Sequence, residues 1–404
     1  MTENPNPYNF QPSVSSHRAR SVVVTKPTGK NPSIIKWLIL GFLVLAMLAM
    51  GLITLLLMGY IFASQGALIF FIMGIIAAIL PVPVYLTLVI WLDRFEPEPW
   101  WLMALTFMWG AMGSVFFSFI INSVGGELVS NMFGPAVGQI YGASVSAPIV
   151  EETTKAMALF AIFFFMRREF DGVLDGIIYA ALVGLGFAMT ENFLYYGKFF
   201  AGGDVIWYFI RGILLAFAHP VFTSMTGIGL GIAAESKNTL VKIVAPIVGF
   251  GMAIFLHFFN NTIIVALAAV LGGLGVLVGL PIICFGIPIL GSCIVGLAGF
   301  SLYRESKKIR EFLQADISAG RLTAQEVQRI GSVFGRIGAS FSALKNGGFK
   351  GWQAMQKFHQ IATELAFFRS NIAKGLILQD TNAVLQEQEY ANALSELRPQ
   401  LPAV

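Results

Sequence analysis

Charge is scarce in this sequence. Asp, Glu, Lys and Arg make up only 12% of the 404 residues, where a soluble domain carries about a quarter. With 56% apolar residues and a mean hydropathy of +0.74, that excludes an ordinary soluble globular chain. Basic patches with interleaved aromatics are missing too, so nucleic-acid recognition is not expected. Only two cysteines occur, Cys284 and Cys293. They lie on one apolar run and face opposite sides of a helix, which excludes a disulfide framework or a metal pair; both read as small buried hydrophobes. The short alternating segments of a membrane β-barrel are absent as well.

What is present is a succession of apolar runs of roughly 20 residues, each able to cross a hydrocarbon core of about 30 Å as a helix. Eight spans are expected, at 35–63, 67–92, 101–122, 145–166, 173–197, 206–234, 243–269 and 274–300. The fold class is therefore all-α, a polytopic membrane bundle of about eight helices (35–300) followed by a small helical domain. Residues 1–34, rich in Pro, Ser, Asn and basic residues, read as a disordered arm. Residues 301–404 turn to mixed charge with helical periodicity, divided by the glycine pair 347–348. No chemical motif appears there, and His359 reads as a helix-surface residue.

Lys and Arg set the orientation. They crowd the arm (Arg18, Arg20, Lys26, Lys30, Lys36), the inner loops (Arg94, Arg167, Arg168, Lys237, Lys242) and the segment after the last span (Arg304, Lys307, Lys308, Arg310). The outer loops hold only Lys198. A multi-pass protein of the cell membrane with both termini cytoplasmic is expected. The tail would meet an unidentified cytosolic partner.

Polar groups within the spans are the informative exceptions, because a charge in lipid is costly and usually faces the bundle interior. Five stretches qualify: EETTK (151–155), FAMTEN (187–192), Arg211, HPVFT (219–223) and HFFNN (257–261). Glu151 and Lys155 are i, i+4 neighbours able to pair on one face, with Glu152 about 100° away. Phe187 shares a face with Glu191, and His257 with Asn261. Pro220 should kink its span. Gly227 and Gly231 form a small-xxx-small step for close helix contact. At about 1.5 Å of rise per residue, Glu151 and Glu191 lie about 9 Å from the outer ends of their spans, and His219 and His257 about 18–20 Å. The core of the bundle, 145–270, therefore converges on one polar site.

A glutamate held in such a cavity can act as a general base toward water, and a histidine with an Asn amide can hydrogen-bond a developing oxyanion. Amide hydrolysis needs both roles. The competing reading of any one pair is structural, a buried ion pair that holds helices together.

In order and spacing, EETTK, FAMTE, an intramembrane His219 and HFFNN resemble the PrsW family of intramembrane proteases, whose pattern is EExxK, FxxxE, a histidine, and HxxxN or HxxxD. LDRFEPEPWW (92–101) resembles the acidic, Pro-containing loop of the same family. The resemblance covers roughly residues 70–270, and the family is similar to the type II CAAX prenyl endopeptidases, which have a histidine where this chain has Glu191. It implies a glutamate-dependent membrane endopeptidase. Glu151 would be the water-activating base and Glu152 its support. Lys155 would match the basic position and Phe187 with Glu191 the second motif, beside Asn192. His219 would match the third motif, and His257 with Asn261 would position water or stabilise the oxyanion. Substrates would be single-span membrane proteins, of the anti-sigma-factor kind in bacteria.

Zinc is the open cofactor question, since Glu151, Glu191, His219 and His257 are all of ligand type. No HExxH helix is present, and Lys155 one turn from Glu151 would already neutralise that carboxylate. Chemistry without a cofactor is expected ahead of zinc. The alternatives from other classes are an ion- or proton-coupled transporter and a non-catalytic membrane scaffold. Against the transporter, no inverted repeat is evident.

Overall fold

A computed structural model describes residues 34–95, 97–167, 169–373 and 378–402. The expected N-terminal arm and Arg168 lie outside the described residues. Among the described residues every regular element is helical, and they form two compact units, 34–93 with 97–301 and 94–95 with 302–402.

The helices run α1 (Ile34–Ser64), α2 (Leu68–Ile79), α3 (Val82–Leu92), α4 (Trp100–Met108), α5 (Val115–Phe133), α6 (Pro135–Tyr141), α7 (Ala147–Phe165), α8 (Val173–Gly202), α9 (Val205–Phe209), α10 (Ala218–Glu235), α11 (Thr239–Leu271) and α12 (Gly273–Phe312). Among the described residues seven segments are long and apolar enough to cross a membrane: 37–64, 68–92, 100–133, 173–202, 205–235, 239–271 and 273–318. The eighth expected span, 145–166, is α7. It carries three charged residues, Glu151, Glu152 and Lys155, and all three are buried. Large apolar side chains such as Trp37, Phe42, Leu240 and Ile247 point outward, as a lipid surround requires.

Several expected spans are broken rather than continuous. Pro81 separates α2 from α3, because it lacks an N–H and its ring crowds the preceding turn. π-helical turns interrupt the chain at Trp109–Ser114, Gly142–Ser146 and Ile210–Leu214, a feature often found where function needs a shifted group. The span expected at 206–234 is α9, the third of these turns, and α10. Pro220 does not kink a helix. It stands in the first turn of α10, where a missing N–H leaves no bond unmade.

Helix α8 forms the centre, with 89% of its apolar window buried. Small residues let its neighbours close on it. A Cβ on Gly176 would lie 2.1 Å from the Gly227 carbonyl oxygen of α10, and one on Gly184 would lie 2.6 Å from the nitrogen of Pro220. The second contact seats the start of α10, and with it His219, directly on α8.

The second unit adds α13 (Gln314–Ser318), α14 (Ala324–Ile330), α15 (Val333–Ala373) and α16 (Thr381–Leu397). Thr323 and Glu326 cap α14 reciprocally. Fully buried Asp316 is held by Arg321 and Arg369. The glycine pair does divide this unit, since Gly348 takes φ +61° and breaks α15. His359, expected on a helix surface, is 3% exposed.

Candidate active site

Helix α7 supplies three ionisable groups to the centre of the bundle. The Lys155 side chain is completely buried, and its ammonium donates to Glu152 Oε1 at 2.8 Å. Glu151 Oε2 is farther, at 3.6 Å. The i, i+4 pairing expected from sequence is thus the weaker contact, since i+3 also lies on the same face. The ammonium also meets His219 Nδ1 at 2.9 Å and lies 3.9 Å from the Phe187 ring centre.

Glu152 is saturated. Oε1 takes Lys155 and His257 Nδ1, the latter at 3.0 Å, and Oε2 accepts from the Thr223 hydroxyl at 3.0 Å. On α8, Glu191 Oε2 meets His219 Nε2 at 2.9 Å and pairs with Arg211. Ionised carboxylates only accept, so these contacts fix both tautomers. His257 carries its proton on Nδ1 and His219 on Nε2. Each imidazole is oriented by a carboxylate and presents its other nitrogen as an acceptor. His219 turns Nδ1 to Lys155. His257 turns Nε2 toward Glu151 Oε2, 3.9 Å away.

Glu151 Oε2 is the exception in the cluster. It is buried and has no hydrogen-bond donor. Two acceptors, a carboxylate oxygen and an imidazole nitrogen, therefore face each other. Only a donor such as water, or a cation, satisfies both.

Arg211 projects from the third π-helical turn. Its Nε donates to Asn192 Oδ1 at 2.5 Å, and its guanidinium lies 3.8 Å from the Tyr195 ring centre. Asn261 takes another position from that expected. Its amide donates to the Ala143 carbonyl of the second π-helical turn at 2.9 Å, so at rest it bonds neither His257 nor a carboxylate. Asn260 donates to Asn261 Oδ1 and keeps its own Oδ1 buried and unpaired. A cavity of about 60 Å³ opens among Glu191, Arg211, His219, His257, Asn260 and Asn261; Glu151 and Glu152 are not part of its wall.

The expected residues Glu151, Glu152, Lys155, Phe187, Glu191, His219 and His257 thus form one contact network, with Asn192 joined through Arg211 and Asn261 in the cavity wall. Sequence reasoning gave no role to Thr223, Asn260 or Arg211. Signals existed: Thr223 is one helical turn from His219, Asn260 adjoins Asn261, and Arg211 is a cation inside an apolar span.

The fold and site define a polytopic helical membrane protein with a buried centre of acids and imidazoles. Residues 98–286, which contain the whole network, match the family described as PrsW family intramembrane metalloprotease. Through this segment, a little under half of its length, the chain is similar to the PrsW family. Among curated relatives, Protease PrsW of Oceanobacillus iheyensis is 30% identical over 142 residues, 35% of this chain and 60% of the relative. Protease PrsW of Geobacillus kaustophilus is 31% identical over 141 residues, 34% and 57% of the two chains. That of Bacillus subtilis is 29% identical over 151 residues, 36% and 62%. The chain therefore spans about three-fifths of the length of these relatives. No solved structure matches it.

Proposed function

We propose that this chain is a multi-pass membrane endopeptidase that cuts single-span membrane proteins, with Glu151 activating the attacking water. The observation that carries this reading is the 3.9 Å gap between two unpaired acceptors, Glu151 Oε2 and His257 Nε2. A water in that gap, at about 2.8 Å from each atom, donates one hydrogen to each.

Glu151 then removes a proton as the water oxygen adds to the scissile carbonyl carbon. Asn260 and Asn261 line the cavity and hold the peptide there. When the C–N bond breaks, Glu151 returns its proton to the leaving amine. Glu152 and Lys155 do not react. They fix His257 and His219 in their tautomers, and Glu191 with Arg211 locks His219 from the other side. The substrate segment unwinds to reach the site, and anti-sigma-factor-like proteins are the substrate class by family likeness. Both termini lie in the cytoplasm, where the tail meets a partner.

The family description implies a metal, and the donor set fits one. Ligand atoms of Glu151, His219 and His257 all lie within 4.8 Å of one another, and Glu151 Oε2 accepts no hydrogen bond. These three residues would hold the ion. Glu191, the fourth candidate from sequence, is engaged with His219 and Arg211. When bound, zinc supplies Lewis acidity and a more acidic water. Lys155 already stands against two of the three donors, which supports its ammonium as the resident cation and chemistry without zinc.

One experiment tests the reading. The full chain is reconstituted in bilayers with a panel of tagged single-span proteins, with and without chelator. The parent should cleave a member of the panel, with Glu151→Gln slower by about 10²–10⁴-fold. Equal rates for parent and variant overturn it. Activity that survives the chelator assigns the cation role to Lys155, and activity lost and restored by zinc assigns it to the ion.

A further inference from the structure

The first half of α15 packs with its apolar side outward. Between Val333 and the break at Gly348, the buried side is made of Ala339, Ser340 and Ala343. The large apolar residues face away from it. Phe334 is 80% exposed, Ile337 43%, Phe341 68% and Leu344 44%. Their spacing of three, four and three sets them along one stripe of the helix. Past the break, Phe349 is 64% exposed and its ring stacks on Trp352, with centres 5.4 Å apart. Single exposed apolar side chains are ordinary on a protein surface, but a continuous stripe of them marks a docking face.

Charge identifies what covers it. From Val327 to Thr363 the sequence holds Arg329, Arg336, Lys345, Lys350 and Lys357 and no Asp or Glu. The two arginines are engaged. The three lysines are exposed, and among the described residues none of them makes an ion pair. Lys345 lies only about 20° around the helix from Phe334, at the edge of the stripe. A second copy of this face would bring lysine against lysine. An anionic lipid surface instead offers negative headgroups above hydrocarbon, which matches ammonium groups beside an apolar stripe. Tryptophan and lysine are also the side chains that settle at headgroup level.

A bilayer is within reach. Arg336, in the first turn of α15, donates to the Arg94 carbonyl at 2.9 Å and lies over the Phe95 ring at 4.6 Å. Arg94 follows the apolar segment 68–92 by two residues, a separation of about 7 Å at most. The start of the stripe is therefore tied to the edge of a membrane-spanning segment.

We propose that residues 333–352 form an interfacial docking surface for anionic lipid. The stripe enters the boundary between headgroups and acyl chains, and Lys345 and Lys350 engage the lipid phosphates. This surface is independent of the proteolytic reading.

The test uses the full chain, one copy per nanodisc. Cys284→Ala and Cys293→Ala remove the native thiols, and Phe341→Cys, at an exposed position, carries a spin label. Collision with oxygen reports lipid around the label, and collision with a water-soluble nickel chelate reports water. In phosphatidylcholine containing phosphatidylglycerol, the label should meet oxygen and exclude the chelate. Lys345→Glu together with Lys350→Glu should lower the lipid-exposed fraction at least about tenfold, and so should pure phosphatidylcholine, since each lysine near an anionic surface is worth about fivefold. Amide exchange over 333–347 in the unlabelled parent guards against a folding defect in the labelled chain. It should slow at least about fivefold from neutral to anionic discs. The inference is overturned if the label meets the chelate in anionic discs, or if exchange is equal in the two lipids. It is overturned equally if the label is shielded from both collision partners, which means that protein covers the face, or if the double glutamate variant inserts like the parent.

Discussion

Glu152 and His257 are 105 positions apart in the chain and meet at 3.0 Å inside the bundle. That bond closes the loop between α7 and α11. It also separates the two adjacent glutamates, because Glu152 is fully bonded while Glu151 keeps an unpaired oxygen. The variants should therefore differ in kind. Glu151→Gln should lower the cleavage rate by about 10²–10⁴-fold with little change in thermal unfolding. Glu152→Ala strips a buried partner from Lys155 and should destabilise the chain by about 3–5 kcal/mol. Unfolding curves and cleavage rates measured on the same preparations distinguish them. Similar loss of stability in both variants would end the division of roles.

Arg211 makes a second prediction. It holds Glu191 and Asn192 at once and stacks on Tyr195. Lysine keeps the charge but cannot reproduce that planar, multiply bonded geometry. Arg211→Lys should retain the fold and lose about tenfold in rate, and Arg211→Gln should lose more, since it leaves Glu191 without its cation. A lysine variant as active as the parent would show that charge alone suffices.

How much of this was legible beforehand depended on the kind of signal. Glu151, Glu152 and Lys155 stood out because ionisable groups are costly in an apolar run, and the intramembrane histidines for the same reason. Their partners were not legible. Whether Lys155 turns to Glu151 or Glu152 is decided by His219 arriving from α10, 64 positions later, and no helical periodicity contains that. The break before α10 was hidden as well. Pro220 predicted a kink within a continuous span, whereas the chain restarts its helix two residues earlier. Thr223 lay in a stretch already singled out, but only the fold shows it bonding Glu152. The unpaired oxygen of Glu151 is a property of the surroundings and has no trace in the sequence.

Packing around His219 gives a third prediction. A Cβ on Gly184 would come within 2.6 Å of the Pro220 nitrogen, a backbone atom that cannot step aside cheaply. Gly184→Ala should push α10 off α8, destabilise by about 1–3 kcal/mol and reduce cleavage further than the stability loss explains. Gly41, where an added Cβ would meet nothing within 4 Å, is the control, and Gly41→Ala should be neutral within about 0.5 kcal/mol. An unperturbed Gly184→Ala enzyme would mean that the α8–α10 contact does not position the histidine.

The loop before α4 carries the pH prediction. Glu98, between the apolar segments 68–92 and 100–133, accepts the Tyr179 hydroxyl at 2.6 Å and donates its backbone N–H to Asp93 at 2.8 Å. Burial first, and then the charge of Asp175, push its carboxyl up to about 10, so the folded chain keeps the proton at pH 7. The unfolded chain releases it near 4.5. Between those values the folded state binds more protons, so stability is fully present below about pH 4.5 and declines as pH rises through the window. Asp93, raised to about 6 by burial, adds to the same trend between about 4 and 6. Glu98→Gln keeps the acceptor for Tyr179 and removes the titration. Its unfolding midpoint should fall less than that of the parent between about pH 5 and pH 8. Glu98→Leu leaves the tyrosine hydroxyl unpaired and should cost about 1–3 kcal/mol at every pH. A parent whose stability rises over the same interval, with Glu98→Gln following it, would mean that Glu98 is ionised in the folded chain.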